Sequence, residues 1–265
     1  MDIFYILHHN AGNMERAMDN KPSPQNQGLS GKTVCVIGGA SGIGLAIAAA
    51  AGRQGAQVFV TGTSENSVAV AREALGGTAE TGVLDIRDRH AVESCCANFK
   101  AVDALINCAG ASFPHRELDP AVMADAIGIN LLGVGYVCSA MYPALKAGRG
   151  SVVNFGSLSS FLGSASNPAY SAAKGGIVQL TKSLARMWGP DGIRVNAIAP
   201  GYVQTKMTAF RWKDEQQAQA IIDRTPLGRW AQVDDIVGPT LFLCSDAARF
   251  VTGVTLPVDG GFLLT

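Results

Sequence analysis

The chain is 265 residues long, 48% hydrophobic and only 16% charged, with lysine plus arginine equal to aspartate plus glutamate at 21 each. That length suits one α/β domain with an ample core, and the balanced charge argues against nucleic acid or a membrane surface as partner. So few charges predict much hidden surface, in a large interior or an oligomer interface, with a small molecule or a second copy of the chain as partner.

Six cysteines (Cys35, Cys95, Cys96, Cys108, Cys138, Cys244) show no paired metal spacing and most sit in apolar runs, the pattern of free buried thiols in a reducing compartment. No metal is expected. No apolar run is read as approaching a membrane span and no leader pattern opens the chain, so a cytoplasmic location is expected. Residues 1–28 differ from the rest, with one short apolar piece among Asn, Gln and Pro, and are read as a loosely ordered extension.

From Lys32 onward, short β-rich runs alternate with helical patterns, as in successive βαβ units. Thr33–Ile37, Gln57–Thr61, Gly82–Leu84, Ala104–Asn107, Ser151–Phe155, Arg194–Ala199 and Gly253–Val258 are the candidate strands. Several are almost wholly apolar, as strands covered on both faces are. The expectation is a single doubly wound Rossmann domain over 29–265, a seven-stranded parallel sheet flanked by helices.

After the first strand comes Gly38-Gly39-Ala40-Ser41-Gly42-Ile43-Gly44, then an alanine-rich helix. Glycines there let the backbone turn tightly and approach a pyrophosphate, to which the helix N-terminus offers N–H groups and a positive dipole. Gly38, Ser41, Gly42, Ile43 and Gly44 are therefore cofactor-binding candidates. At the end of the second strand stands Thr61-Gly62-Thr63-Ser64, without the carboxylate that NAD-preferring folds place against the ribose. Thr63 and Ser64 could donate to a 2′-phosphate, which favours NADP over NAD; Ser64 could equally cap the next helix. Later strand ends add Asp85 and Ile86, with Asp85 placed for an adenine amine, and polar Asn107 followed by Ala109 and Gly110, small enough for a nucleoside to lie against the backbone.

Ser157 follows the fifth candidate strand at the same sheet edge. Beyond it, Asn167-Pro168-Ala169-Tyr170-Ser171-Ala172-Ala173-Lys174 reads as a helix start, with Asn167 as N-cap and Pro168 in the first turn. Tyr170 and Lys174, at i and i+4, share a face, so the ammonium is expected to lower the phenol's pKa and make an acid/base near neutral pH. Alone, such a pair is more often a packed tyrosine beside a solvated lysine.

Together, Gly38-x3-Gly42-Ile43-Gly44, Asn107-x-Ala109-Gly110, Asn130, Ser157, Tyr170-x3-Lys174 and Pro200-Gly201 resemble the short-chain dehydrogenase/reductase family from about Lys32 to Gly261. The resemblance implies an NAD(P)-dependent oxidoreductase interconverting a secondary alcohol and a ketone. In it Tyr170 is the acid/base, Lys174 tunes it and holds the nicotinamide ribose, Ser157 binds the substrate oxygen, and Asn130 holds a relay water. Pro200, Val203 and Thr205 would meet the carboxamide, and the C-terminal segment would build a homotetramer. Ile37 departs from the family's usual threonine, at the cost of one hydrogen bond, and Cys108 from its second asparagine. The aromatic and apolar residues between Tyr202 and Trp230 suggest a substrate with a hydrophobic face, or, at helical spacing, a lid helix packed on the core. The Thr63–Asn66 turn resembles that of some 3-oxoacyl-carrier-protein reductases; oxidation of a cyclic, steroid or sugar alcohol is a second reading, and a non-catalytic dinucleotide-sensing regulator a third.

Overall fold

The computed structural model describes residues 28–265; apart from Gly28, the expected N-terminal extension lies outside the described residues. Seven parallel strands form one sheet in the order β3-β2-β1-β4-β5-β6-β7. They are β1 (Thr33–Ile37), β2 (Gln57–Gly62), β3 (Ala79–Val83), β4 (Ala104–Asn107), β5 (Ser151–Phe155), β6 (Arg194–Pro200) and β7 (Thr255–Val258). The helices are α1 (Gly42–Arg53), α2 (Glu65–Ala74), α3 (Arg89–Cys96), α4 (Pro120–Ile127), α5 (Gly133–Gly148), α6 (Pro168–Trp188), α7 (Ala209–Trp212), α8 (Glu215–Asp223) and α9 (Val233–Cys244).

Strands β2 and β6 run one residue past their expected ends, to Gly62 and Pro200, and two others differ more, for identifiable reasons. The third was expected at Gly82–Leu84 but spans Ala79–Val83, because an edge strand needs backbone pairing with β2 more than an apolar run, and Glu80 and Thr81 find partners in Phe59 and Val60. The last begins at Thr255 rather than Gly253, whose φ of +78° is not a strand conformation.

Alternation along the strands splits the core into two layers. Val34 and Val36 of β1 pack with Ile47, Ala48 and Ala51 of α1 and with Ile236 and Leu241 of α9. Cys35 and Ile37 face the other way, with Val92 of α3, Val137 and Met141 of α5, and Ile177 and Leu184 of α6. Chain order reverses between β1 and β4, and the carboxyl ends of these strands open the crevice where ligands of such sheets sit.

Helices α4 and α5 run on through a π turn, Gly128–Leu132, as one rod from Pro120 to Gly148. This corrects the expectation about apolar length: the 29-residue rod, with a mean hydropathy of 1.6 in its most apolar stretch, is long and apolar enough to cross a membrane. A third of that stretch is buried, with Val134, Val137, Cys138, Met141 and Leu145 packed in the second core layer.

Candidate active site

The glycine loop is held by tertiary contacts. Gly38 has φ +80°, and a Cβ there would lie 2.5 Å from the Ala109 backbone, so the first turn and the end of β4 touch through bare backbone. Ile37 cannot supply a hydroxyl, but Thr61 at the end of β2 does: its Oγ1 accepts the Gly38 N–H at 3.1 Å. Ser41 stands at the N-cap of α1 without capping it, and the first turn carries no acidic residue. The helix N-terminus is thus open to an anion, and glycines with a dipole-bearing terminus fit a dinucleotide pyrophosphate. Across the crevice, the Thr205 methyl lies 4.0 Å from where a Gly42 Cβ would sit.

Other cofactor candidates divide. Ser64 caps α2, accepting the Ser67 N–H, while Thr63 is exposed beside it. The Asp85 carboxylate accepts from the Arg87 main chain at 3.0 Å and from its guanidinium at 2.6 Å; Arg87 in turn reaches Asp125 at 2.8 Å, and it holds the Asp85 carboxyl below its usual range. Ile86 is buried, with its side chain and its carbonyl packed against Gly133. Asn107 turns inward, where its amide donates to Asn154 Oδ1 at 2.9 Å and to Cys138 Sγ at 3.3 Å, so any contact with a cofactor falls to its backbone. Val203 is buried and bridges Ala231.

At the carboxyl edge of β5 lies a cavity of about 220 Å³, lined by Ser157, Tyr170, Lys174, Pro200, Val203 and Thr205 among others. The structure brings these residues together. Gly110 shows how tightly: a Cβ there would stand 3.0 Å from Asn130 Oδ1 and 3.7 Å from Lys174 Nζ. Lys174, 3% exposed, donates from Nζ to the Phe155 carbonyl at 2.7 Å and lies 5.5 Å from the Tyr170 ring centre.

The expected pKa relation is overturned. Burial pushes the Tyr170 phenol up to about 12, against the pull of the Ser157 hydroxyl and with added push from Glu117 and Cys108. Burial also pushes Lys174 down to about 8. Desolvation is the largest influence on both groups, and the ammonium donates to the Phe155 carbonyl rather than to the phenol.

Asn130 sits in the π turn with its amide fully used: Nδ2 donates to the Ala111 and Ala126 carbonyls at 2.7 and 2.8 Å, and Oδ1 accepts the Ala111 N–H at 3.2 Å. Its side chain clamps the loop after β4. Asn167 occupies the N-cap of α6 but does not cap it; its amide donates to Ser112 Oγ at 3.0 Å. Three residues with no legible signal also belong here. Thr61 and Glu117 act by hydrogen bonds across long sequence gaps, and Arg211 of α7 lines the cavity.

A family model described as enoyl-(acyl carrier protein) reductase matches residues 38–263. The gluconate 5-dehydrogenase of Gluconobacter oxydans is 37% identical over 247 residues, 89% of this chain and 96% of that one. The L-xylulose reductase of Bos taurus is 37% identical over 242 residues, 89% and 98% of the two chains. Among solved structures, a gluconate 5-dehydrogenase from Burkholderia cenocepacia in complex with NADP and tartrate superimposes with a TM-score of 0.84 at 31% identity, covering 90% of this chain and 97% of its own. The chain belongs to the short-chain dehydrogenase/reductase family. It is an NAD(P)-dependent oxidoreductase that interconverts a secondary alcohol and a ketone in a small-molecule substrate.

Proposed function

We propose that residues 29–265 form the catalytic unit and that its substrate is a polyhydroxylated alcohol or the matching ketone, a sugar, polyol or sugar acid, with Tyr170 as acid/base. The observation that carries this reading is the convergence of Ser157, Tyr170 and Lys174 on one cavity at the edge of β5. Ser112, Ser159, Ser164 and Asn167 give that cavity a hydroxyl- and amide-rich wall, which suits a substrate of many hydroxyls. The gluconate and xylulose enzymes among the relatives point the same way. Leu158, Met207 and Phe210 supply an apolar face for the carbon chain. Arg211 is the candidate anchor for a carboxylate, since its guanidinium makes no ion pair among the described residues and has a 3.5 Å contact with Ser166 Oγ and a place over the Phe210 ring at 5.1 Å.

When bound, the nicotinamide supplies or takes the hydride. The glycine loop, Asp85, the backbone at Ile86 and Asn107, Ala109, Gly110, Pro200, Val203 and Thr205 would hold the cofactor, with Lys174 on its ribose. Ser157 donates to the substrate oxygen, and Tyr170 passes it a proton in reduction or takes one in oxidation. A phenol near 12 is protonated at neutral pH, the form that carbonyl reduction needs. Asn130 positions the loop that closes this site. NADP is favoured over NAD because Thr63 and Ser64 stand where a carboxylate would repel the 2′-phosphate.

Six unpaired cysteines support a reducing, cytoplasmic setting. Exposed Leu132 on the α4–α5 rod and Phe242 and Phe250 near the C-terminus support burial between subunits of a homotetramer. The 3-oxoacyl reading rests on the Thr63–Asn66 turn and is second to the polyol reading. A sensor without turnover would have no use for the assembled Ser157, Tyr170 and Lys174.

The test is nicotinamide absorbance with NADH and NADPH against ketoses, keto acids and 3-oxoacyl thioesters, and in reverse with polyols and sugar acids. Tyr170→Phe is expected to lose about 100-fold or more in turnover while binding cofactor as the wild type does. Full turnover in that variant would remove Tyr170 from the chemistry.

A further inference from the structure

Among the described residues, Glu117 is the one charged side chain besides Lys174 that is buried almost completely, at 1% exposed. A carboxylate taken out of water is costly unless its oxygens are met by donors. Both are: Oε1 accepts the Phe113 N–H at 3.0 Å and Oε2 accepts the Tyr170 N–H at 2.8 Å. Tyr170 is the third residue of α6, one of the N-terminal positions whose N–H has no partner within the helix. The cap that sequence places at Asn167 is not made there, since that amide is turned to Ser112.

We propose that Glu117 is the N-terminal cap of the catalytic helix, delivered from the loop after β4, and a positioning residue that fixes Tyr170 for proton transfer. Two further contacts tie the loop to the helix start: His115 N–H donates to the Ser166 carbonyl at 2.8 Å and the Asn167 amide to Ser112 Oγ, while the Asn130 amide of the π turn anchors the same loop at the Ala111 carbonyl. His115 holds a left-handed φ of +63° within this clamp, a conformation that costs a non-glycine residue and persists only where surroundings impose it. The carboxylate thus couples substrate-facing Ser112 to the backbone of the acid/base. Its negative charge meets the favourable end of the α6 dipole. The charged and titratable groups around the phenol are Glu117 from the loop, Cys108 from the end of β4 and Lys174 from α6 itself. Removing the first leaves a phenol that ionises more readily.

This inference rests on the oxidoreductase reading for its kinetic consequence but not for the cap. Two measurements separate them. Amide hydrogen exchange in the wild type is expected to show Tyr170 and Phe113 protected far beyond the first residues of an uncapped helix, with protection of one of them lost in Glu117→Gln, whose amide nitrogen must face an N–H. In steady state, Glu117→Gln is expected to lower kcat about tenfold or more, with cofactor affinity within twofold of wild type, and to move the pH–rate limb of alcohol oxidation to lower pH. Fast exchange at Tyr170 in the wild type overturns the cap. Normal kcat with an unmoved pH limb in a folded Glu117→Gln overturns the positioning role. If the variant does not fold, wild-type exchange at the two amides decides the proposal. If the wild type turns over no alcohol or carbonyl, the oxidoreductase reading fails, and exchange still decides the cap.

Discussion

Lys174 donates to the Phe155 carbonyl at 2.7 Å, so the catalytic helix is tied to the end of β5 by the very ammonium that faces the cofactor crevice. The bond gives Lys174 a structural duty beside its chemical one. Lys174→Met leaves the carbonyl without its donor, a loss of about 1–3 kcal/mol. A lower Tm and a drop in kcat of about 100-fold or more are expected. Thermal melting and steady-state kinetics on one preparation check both, and an unchanged Tm would show that the carbonyl finds another donor.

Gly38 has no room for a side chain. Gly38→Ala would force a Cβ to 2.5 Å from the Ala109 backbone at a φ of +80°. Destabilisation of about 2 kcal/mol or more is expected, together with weaker cofactor binding as the loop lifts away from β4. Denaturant unfolding and titration of NADPH fluorescence measure the two effects; wild-type values in both would mean that the loop can shift freely.

Arg211 lines the cavity with no ion pair among the described residues; its guanidinium lies 5.1 Å from the Phe210 ring centre and 3.5 Å from Ser166 Oγ. Arg211→Gln is expected to raise KM for a sugar acid about 10–100-fold, the worth of a charged hydrogen bond, and to leave KM for a neutral polyol within about threefold. Equal effects on acid and polyol would remove Arg211 as a carboxylate anchor.

Alkaline pH should unfold the protein through its thiols. Burial pushes Cys96, Cys108, Cys138 and Cys244 up to about 12 from an ordinary 9.0, and Cys35 higher still. Folded pKa values above unfolded ones mean that the native state holds more protons between pH 9 and 12, so stability is complete below 9 and falls as pH rises. Tyr170, raised from 10.0 to about 12, adds to the fall above pH 10. Lys174, lowered from 10.5 to about 8, opposes it between those values, one group against six thiols, Cys95 being raised by burial as well. Tm is expected to decline steadily above pH 9, and less steeply in Cys138→Ala; a flat Tm to pH 11 would contradict the burial of these thiols.

The parts of this protein that the sequence by itself determined are those whose physics is local. Short, largely apolar β-rich runs marked β1, β4 and β5 to the residue, because strands buried on both faces are apolar along most of their length. Gly38 to Gly44 announced a tight turn before a helix, and Tyr170 with Lys174 announced a shared helical face. Edge strand β3 was less legible because its stability comes from pairing with β2 rather than from its own residues. Only the tertiary structure decided what depends on contacts between distant residues. Glu117 lies in Arg116-Glu117-Leu118-Asp119, which reads as a solvated loop, yet 53 residues later in the chain it meets the Tyr170 N–H. Asn107 belongs to a cofactor motif, yet turns its amide into the core toward Asn154. The tyrosine's pKa reversed expectation for the same reason: the i,i+4 attraction is written in the sequence, whereas desolvation is set by everything packed around the phenol.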